Sequence, residues 1–309
     1  MLLLSAFSYH IVSIELFGAF FPLVTVNHTL FGVKTILITG ASSGIGKATA
    51  VAFAQRGWNV VATMRDPRAG AELAAMGNVL VARLDVKDPA TIAEAIEAGI
   101  ARFGAIDMLL NNAGMNYFGA FEELTPAQVR EIFDVNVVGV MDVTRAVLPH
   151  FRERGAGTVV NLTSASGLMA FPLQSLYVST KHAVEGFSES LAYELATLNI
   201  GVKLIEPGLV KTNMTAKFET DVSATASISD YQQFTTHTIG LFEGMMAGDI
   251  PEASVVAGRI FEAATDGTNR LRYLVTDDVA PLVEMRESMP DEAFVSHMRS
   301  MFLPQQIGG

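Results

Sequence analysis

From Val33 onward, short apolar or β-branched runs alternate with longer stretches whose apolar residues recur at helical spacing. The runs predict strands at residues 35–39, 60–63, 79–84, 108–110, 158–162, 202–205 and 273–275. Most are apolar throughout instead of alternating, the pattern of parallel strands covered on both faces. Helical patterns fall between them at 47–56, 90–103 and 128–151. A further helix runs from Tyr177 to about Leu198, with Val184, Phe187, Leu191 and Leu195 as its apolar stripe. Thr125 followed by Pro126 reads as an N-cap and first helical position. This alternation predicts an α/β fold, a single-domain Rossmann-type doubly wound sheet of about seven parallel strands flanked by helices. Residues 213–230 show no pattern and are rich in Thr, Ser and Ala. Their place after a strand's carboxyl end makes a substrate lid the expectation.

The hydrophobic N-terminal extension, residues 1–32, differs from the domain expected at 33–309. Between Leu2 and Val26 its only formal charge is Glu15, over about the length of a membrane span. Against a span stand Glu15 near the middle, Pro22, and the lack of any Lys or Arg before Lys34. Against a secretion signal stands the lack of a positive leading region and a small-residue cleavage site. The ranked readings are an extension or misassigned start, then a membrane-associating helix, then a secretion signal. Membrane contact is expected only through residues 1–31, and otherwise a cytoplasmic protein.

Composition narrows the chemistry. Half the residues are hydrophobic and 17% charged, so material for a large core is ample. A formal net charge of -11 excludes a general nucleic-acid binder, which needs basic patches against phosphates. Without cysteine there is no disulfide, thiolate metal site or cysteine nucleophile. The six histidines form no HxxxH or HxH pair, so no zinc site is expected.

The first strand runs directly into Gly40-Ala41-Ser42-Ser43-Gly44-Ile45-Gly46 and then a helix. Glycines let a backbone approach a pyrophosphate closely, and the helix start directs N–H groups and a positive dipole end at it. The GxxxGxG spacing, read alone, also fits an ordinary glycine-rich turn; its place between first strand and first helix favours a dinucleotide. At the next strand end stands Arg65, with no carboxylate before Asp66. A guanidinium suits a 2′-phosphate where a carboxylate would suit a free ribose hydroxyl, so NADP(H) is expected over NAD(H). The other reading is a solvated surface arginine.

Tyr177 and Lys181 stand four apart, on one face of a helix. A phenol titrates near 10, too high for proton transfer at neutral pH, and a nearby ammonium favours its ionised form. Ser164 follows the strand at 158–162, and Asn136 lies within the helical pattern at 128–151. Asp85, Asn112-Ala113-Gly114, and Pro207-Gly208 with Thr212 follow other strand ends, where α/β proteins bind ligands. Each has a plainer reading: Ser164 as a strand end beside Thr163 and Ser166, Asn136 bonding its own helix, Asp85 as a cap, 111–114 as a turn.

Taken together, residues 33–275 resemble a classical short-chain dehydrogenase/reductase. The motifs come in that family's order: TGASSGIG at 39–46, Asp85, NNAG at 111–114, Asn136, Ser164, Tyr177 with Lys181, and Pro207-Gly208. The resemblance implies a catalytic tetrad of Asn136, Ser164, Tyr177 and Lys181. It implies Tyr177 as acid/base and Ser164 on the substrate oxygen. Lys181 would bind the nicotinamide ribose and lower the tyrosine pKa, and Asn136 would hold a water in a proton relay. It further implies Asp85 at adenine, Asn112 along the cofactor cleft and Thr212 at the carboxamide, in a homodimer or homotetramer.

The reaction then expected is hydride transfer between a nicotinamide and a small apolar carbonyl or alcohol substrate, in the direction of carbonyl reduction. Met169, Phe171 and Leu173, with Met214 and Phe218 on the lid, are candidate substrate contacts or else core. The stretch TMRDP at 63–67 resembles the 17β-hydroxysteroid-dehydrogenase-like branch, an analogy that names no substrate. Two other readings are a nucleotide-sugar epimerase or dehydratase relative and a non-catalytic dinucleotide-sensing module. The glycine spacing and the lack of a large second domain oppose the first; an intact tetrad opposes the second.

Overall fold

A computed structural model describes residues 32–216 and 227–304. The expectations for residues 1–31, and for the middle of the patternless stretch including Phe218, lie outside these.

Every predicted strand forms. They are β1 (Thr35–Ile38), β2 (Asn59–Met64), β3 (Val79–Arg83), β4 (Met108–Asn111), β5 (Gly157–Leu162), β6 (Ile200–Glu206) and β7 (Arg272–Leu274). All pairings are parallel, in the order β3-β2-β1-β4-β5-β6-β7. Parallel neighbours need long crossovers, which helices supply. In chain order these are α1 (Gly44–Gln55), α2 (Ala71–Ala74), α3 (Pro89–Phe103), α4 (Pro126–Phe133), α5 (Gly139–Arg154) and α6 (Ser175–Ala196). Then follow α7 (Asn213–Ala216), α8 (Gln232–Met246), α9 (Ala253–Thr265), α10 (Ala280–Ser288) and α11 (Asp291–Phe302).

Strand alternation splits the core between the two faces. Ile36 and Ile38 of β1 meet Phe53 of α1 and Ile260 of α9 on one side. Leu37, between them, meets Val143 and Val147 of α5 and Leu191 of α6 on the other. A third cluster joins Phe242 of α8 with Phe294, Met298 and Phe302 of α11. Met169, Phe171 and Leu173, left open as substrate contacts or core, pack into this cluster.

The helix predicted over 128–151 begins two residues earlier, at Pro126. Thr125 and Gln128 form a capping box, each side chain satisfying the other's backbone N–H. It is also not one α-helix: Asp134–Val138 winds as a π-helical turn between α4 and α5. Such turns recur at functional positions.

Two buried polar groupings interrupt the apolar core. Asn111 of β4 and Asn161 of β5 are direct register partners. Asn111 Nδ2 donates to Asn161 Oδ1 at 2.8 Å and to Thr144 Oγ1 of α5 at 2.9 Å. Asn161 Nδ2 in turn donates to Ser188 Oγ of α6 at 2.8 Å. At the sheet edge, Lys203 Nζ donates to Asp266 Oδ1 at 2.9 Å, Thr268 O at 3.0 Å and Tyr273 OH at 2.6 Å. Burial works to raise the Asp266 carboxyl, but the bonds from Lys203, Thr268 and Tyr273 outweigh it and hold the group well below the carboxylate range. Lys203→Met is expected to cost about 2–3 kcal/mol, less than for a fully buried pair because Asp266 keeps one side in water. Urea unfolding checks this. The loss should shrink as pH falls through the Asp266 titration, since that carboxylate stabilises the fold only while charged.

Candidate active site

β1 and β4 are sheet neighbours although β2 and β3 intervene in sequence, so the order in which strands join the sheet reverses between them. Doubly wound sheets hold ligands in the crevice outside the strand carboxyl ends at such a point. A cleft of about 830 Å³ opens there. The expected tetrad and cofactor contacts line it except Gly46 and Asn136.

The glycine turn is shaped by close packing. Gly40 has φ +68°, and a Cβ there would lie 2.9 Å from Ala113 Cα. A Cβ on Gly46 would overlap Asn112 Nδ2 and the Gly40 carbonyl, so this glycine seats α1 against the loop after β4 and does not itself line the cleft. Asn112 fastens the two loops: its Nδ2 donates to Thr39 O at 2.8 Å and Gly40 O at 3.0 Å. Thr39 Oγ1 accepts the Asn112 and Ala113 N–H groups, each at 3.0 Å. Ser43, the α1 N-cap, makes no side-chain cap bond, and the first turn holds no acid. The helix start therefore offers uncapped N–H groups to the cleft, which suits an anion.

At the end of β2, Arg65 is exposed and lines the cleft. Asp66 instead turns onto Arg68, accepting from Nε at 2.9 Å and Nη2 at 2.7 Å, bonds that hold its carboxyl below the usual range. Asp85 does not cap α3, a task taken by Asp88 through the Ala90 N–H at 3.2 Å. Its Oδ1 accepts the Lys87 N–H at 3.0 Å on the cleft wall.

Tyr177 and Lys181 lie one turn apart on α6, and Ser164 follows β5. Ser164 Oγ lies beside the phenol, donates to Pro207 O at 3.3 Å and accepts the Ser166 N–H at 3.1 Å. Lys181 Nζ donates to Leu162 O at 2.8 Å and stands 5.4 Å from the centre of the Tyr177 ring. Burial pushes the Tyr177 phenol up to about 12, opposed by the neighbouring Ser164 hydroxyl. Lys181 was expected to lower it; here its ammonium faces the ring and bonds the Leu162 carbonyl, so burial prevails. Burial likewise pulls Lys181 down to about 8, opposed by the Glu185 carboxylate.

Asn136 is placed by the π-helical turn and is only 2% exposed. Its Oδ1 accepts the Met115 N–H at 2.9 Å, and its Nδ2 donates to Met115 O at 2.8 Å and Thr180 Oγ1 at 3.2 Å. It thus fixes the loop after β4 to α6. Across the cleft, the Gly208 N–H donates to Thr276 Oγ1 at 2.7 Å, and Thr212 bonds Thr215. Met115, Phe118 and Met214 add an apolar wall. Past residues 217–226, the Ser227 and Ile228 N–H groups donate to Glu123 Oε1 at 2.6 and 2.8 Å. Tyr231 OH donates to Glu122 Oε2 at 3.1 Å, returning this end of the expected lid to the loop after β4.

Sequence reasoning missed Tyr117 and Glu131, both on the cleft. Tyr117 OH donates to Glu131 Oε2 at 2.7 Å; burial, then this carboxylate, push the phenol up to about 12. No spacing rule links a loop tyrosine to a helical glutamate, so no motif announced the pair. Among the described residues no three His, Asp or Glu side chains gather to hold a metal, and no helix is long and apolar enough to cross a membrane.

A family model described as short chain dehydrogenase matches residues 34–223. The uncharacterized oxidoreductase YusZ of Bacillus subtilis is 38% identical over 277 residues, covering 86% of this chain and 97% of its own. Among solved structures, a short-chain dehydrogenase from Streptomyces avermitilis superposes with a TM-score of 0.74 at 32% identity, covering 87% of this chain and 96% of its own. A short chain dehydrogenase/reductase from Burkholderia phymatum in complex with NAD gives 0.73 at 28%, covering 90% and 99%. With the parallel seven-stranded sheet and this sequence likeness in agreement, the chain belongs to the short-chain dehydrogenase/reductase family.

Proposed function

We propose that the protein is an NADP(H)-dependent oxidoreductase that interconverts a small apolar carbonyl and its secondary alcohol by hydride transfer. The observation that carries this is the meeting of Tyr177, Ser164 and Lys181 with the glycine turn on one cleft. The cleft's residues fit a dinucleotide. Gly40 and Gly46 leave no room for a side chain, and the uncapped start of α1 suits its pyrophosphate. Bound there, a nicotinamide supplies or accepts hydride at its ring.

The chain's own groups do the rest. Ser164 hydrogen-bonds the substrate oxygen, and Tyr177 Oη passes its proton to that oxygen as negative charge develops. Lys181, charged below about pH 8, stabilises the phenolate left behind. Asn136 acts by holding the Met115 loop and α6 in register. The wall of Met115, Phe118 and Met214 suits an apolar substrate. Incubation with NADPH and a panel of ketones and aldehydes tests the reading, with Tyr177→Phe as control. Net NADPH consumption speaks against an epimerase, and tight NADPH binding without turnover on any member speaks for a sensing module.

NADP(H) preference is supported by Arg65 on the cleft while the neighbouring Asp66 is engaged with Arg68. The Burkholderia relative was solved with NAD, so the preference needs its own measurement. Arg65→Ala is expected to lower kcat/KM for NADPH about tenfold through loss of charge-assisted phosphate bonds, leaving NADH little changed. Equal losses with both cofactors would reject the assignment.

A further inference from the structure

Behind Lys181, away from the cleft, lies a cluster of acids that the proposed reaction does not use. Glu185 sits one turn further along α6 and is 6% exposed. Its Oε2 accepts from Arg272 Nε of β7 at 3.0 Å. Arg272 also donates to Glu189 Oε2 at 2.6 Å and stands 3.7 Å from Glu206 Oε1. Glu206 closes β6, directly before the Pro207 whose carbonyl accepts the Ser164 hydroxyl. Burial first, then the Glu185 charge, push Glu206 up to about 8. Glu185 also lies beneath the turn Ala165–Gly167 that follows Ser164: a Cβ on Gly167 would come within 2.9 Å of its Cγ.

We propose that Glu185 is a positioning residue for this cleft: braced by Arg272, its carboxylate keeps the Lys181 ammonium charged and seats the turn behind Ser164. The inference rests on the reading of Tyr177, Ser164 and Lys181 as the reacting groups. Its physical basis is that a buried ammonium tends to lose its proton unless a negative charge stands nearby. The charged groups bearing on the cluster are Lys181 and Glu189 from α6 and Glu206 from β6. Arg272 and Arg270 face it from β7 and the segment before it, and Glu287 from α10. Of these, Glu185 stands one helical turn from Lys181, a spacing that puts the two buried side chains on one face of α6. Arg272 is shared among three carboxylates, which keeps its charge from adding in full to the burial of Lys181.

The test is titration of the Lys181 Cε resonance by NMR in the full chain, assigned by its loss in Lys181→Met. In Glu185→Gln the midpoint is expected to fall by about one unit, so that at the wild-type midpoint the charged fraction drops from about half to about a tenth. Glu206→Gln, which removes a buried carboxylate of the same cluster from β6 and not from α6, is expected to leave it in place. The falling limb of the reduction pH profile should move down with the NMR midpoint in Glu185→Gln. An unchanged Lys181 midpoint in that variant overturns the inference. Should it not fold, Glu185→Asp withdraws the charge by one methylene, and a smaller fall of the same sign is expected; an unchanged midpoint there overturns the inference as well. Absence of turnover by the wild type on every substrate would sink the proposed reaction while leaving the NMR result to judge Glu185.

Discussion

Tyr177→Phe is expected to lower kcat/KM for carbonyl reduction by about 10²–10⁴-fold while leaving NADPH affinity unchanged. The substitution keeps the ring on its half-buried face of α6 and removes only the hydroxyl beside Ser164. Proton delivery to the substrate oxygen stops; the glycine turn and Arg65 stay as they are. The pH profile of the wild type should carry the same logic. With the phenol pushed up to about 12, Tyr177 holds its proton throughout the neutral range. Lys181, at about 8, keeps its proton at neutral pH and loses it above. Reduction should therefore be level below pH 8 and decline above it, as the ammonium that stabilises the phenolate is lost. Stopped-flow or steady-state NADPH consumption measures both. A Phe variant retaining more than about a tenth of the activity would remove Tyr177 from the proton transfer.

The largest expected effect on stability is at Phe53. Phe53→Ala is expected to cost about 3–5 kcal/mol, with a fall in Tm on the order of 10 °C. Its ring is fully buried and meets Trp58 and Phe261 edge-on at 5.2 and 4.9 Å. Three aromatic rings thus tie α1 to β2's approach and to α9, and truncating the central one leaves a cavity the other two cannot fill. Because α1 begins at the glycine turn of the proposed cofactor site, a weaker NADPH affinity should accompany the loss. Calorimetry and a binding titration report the two effects separately. A Tm within about 2 °C of wild type would show that the site collapses around the deletion.

How much of this was legible in advance follows from the range over which each signal acts. Strands such as Val60–Val61-Ala62 announce themselves because a parallel strand buried on both faces is apolar at every position. The glycine turn was legible because Gly40 and Gly46 answer local steric demands, and Tyr177 and Lys181 because one helical turn separates them. The π-helical turn at Asp134–Val138 was not, since apolar periodicity records which face is buried and not which carbonyl each N–H reaches. Helices α10 and α11 escaped for a related reason: their apolar residues join a cluster apart from the main sheet core, with α8 and the segments around Phe118 and Met169. Tyr117 with Glu131, and Glu185 with Arg272 and Glu206, meet only through the tertiary fold. Asn136 was found by its motif, but its bonds to Met115 and Thr180, which tie the loop after β4 to α6, were not legible in it.

The buried line from Asn111 through Asn161 to Ser188 has a consequence for aim. In a strand that is apolar on every side, a slip in register exchanges one greasy residue for another, and little energy separates right from wrong. A pair of amides facing each other across β4 and β5 removes that degeneracy, because any slip leaves them buried and unbonded. Ser188 extends the same discrimination to the rotation of α6 about its own axis. Eleven residues separate Ser188 from Tyr177, about three turns, so the two side chains leave the helix in nearly the same direction. The serine deep in the core thereby sets the compass bearing of a phenol about 16 Å away.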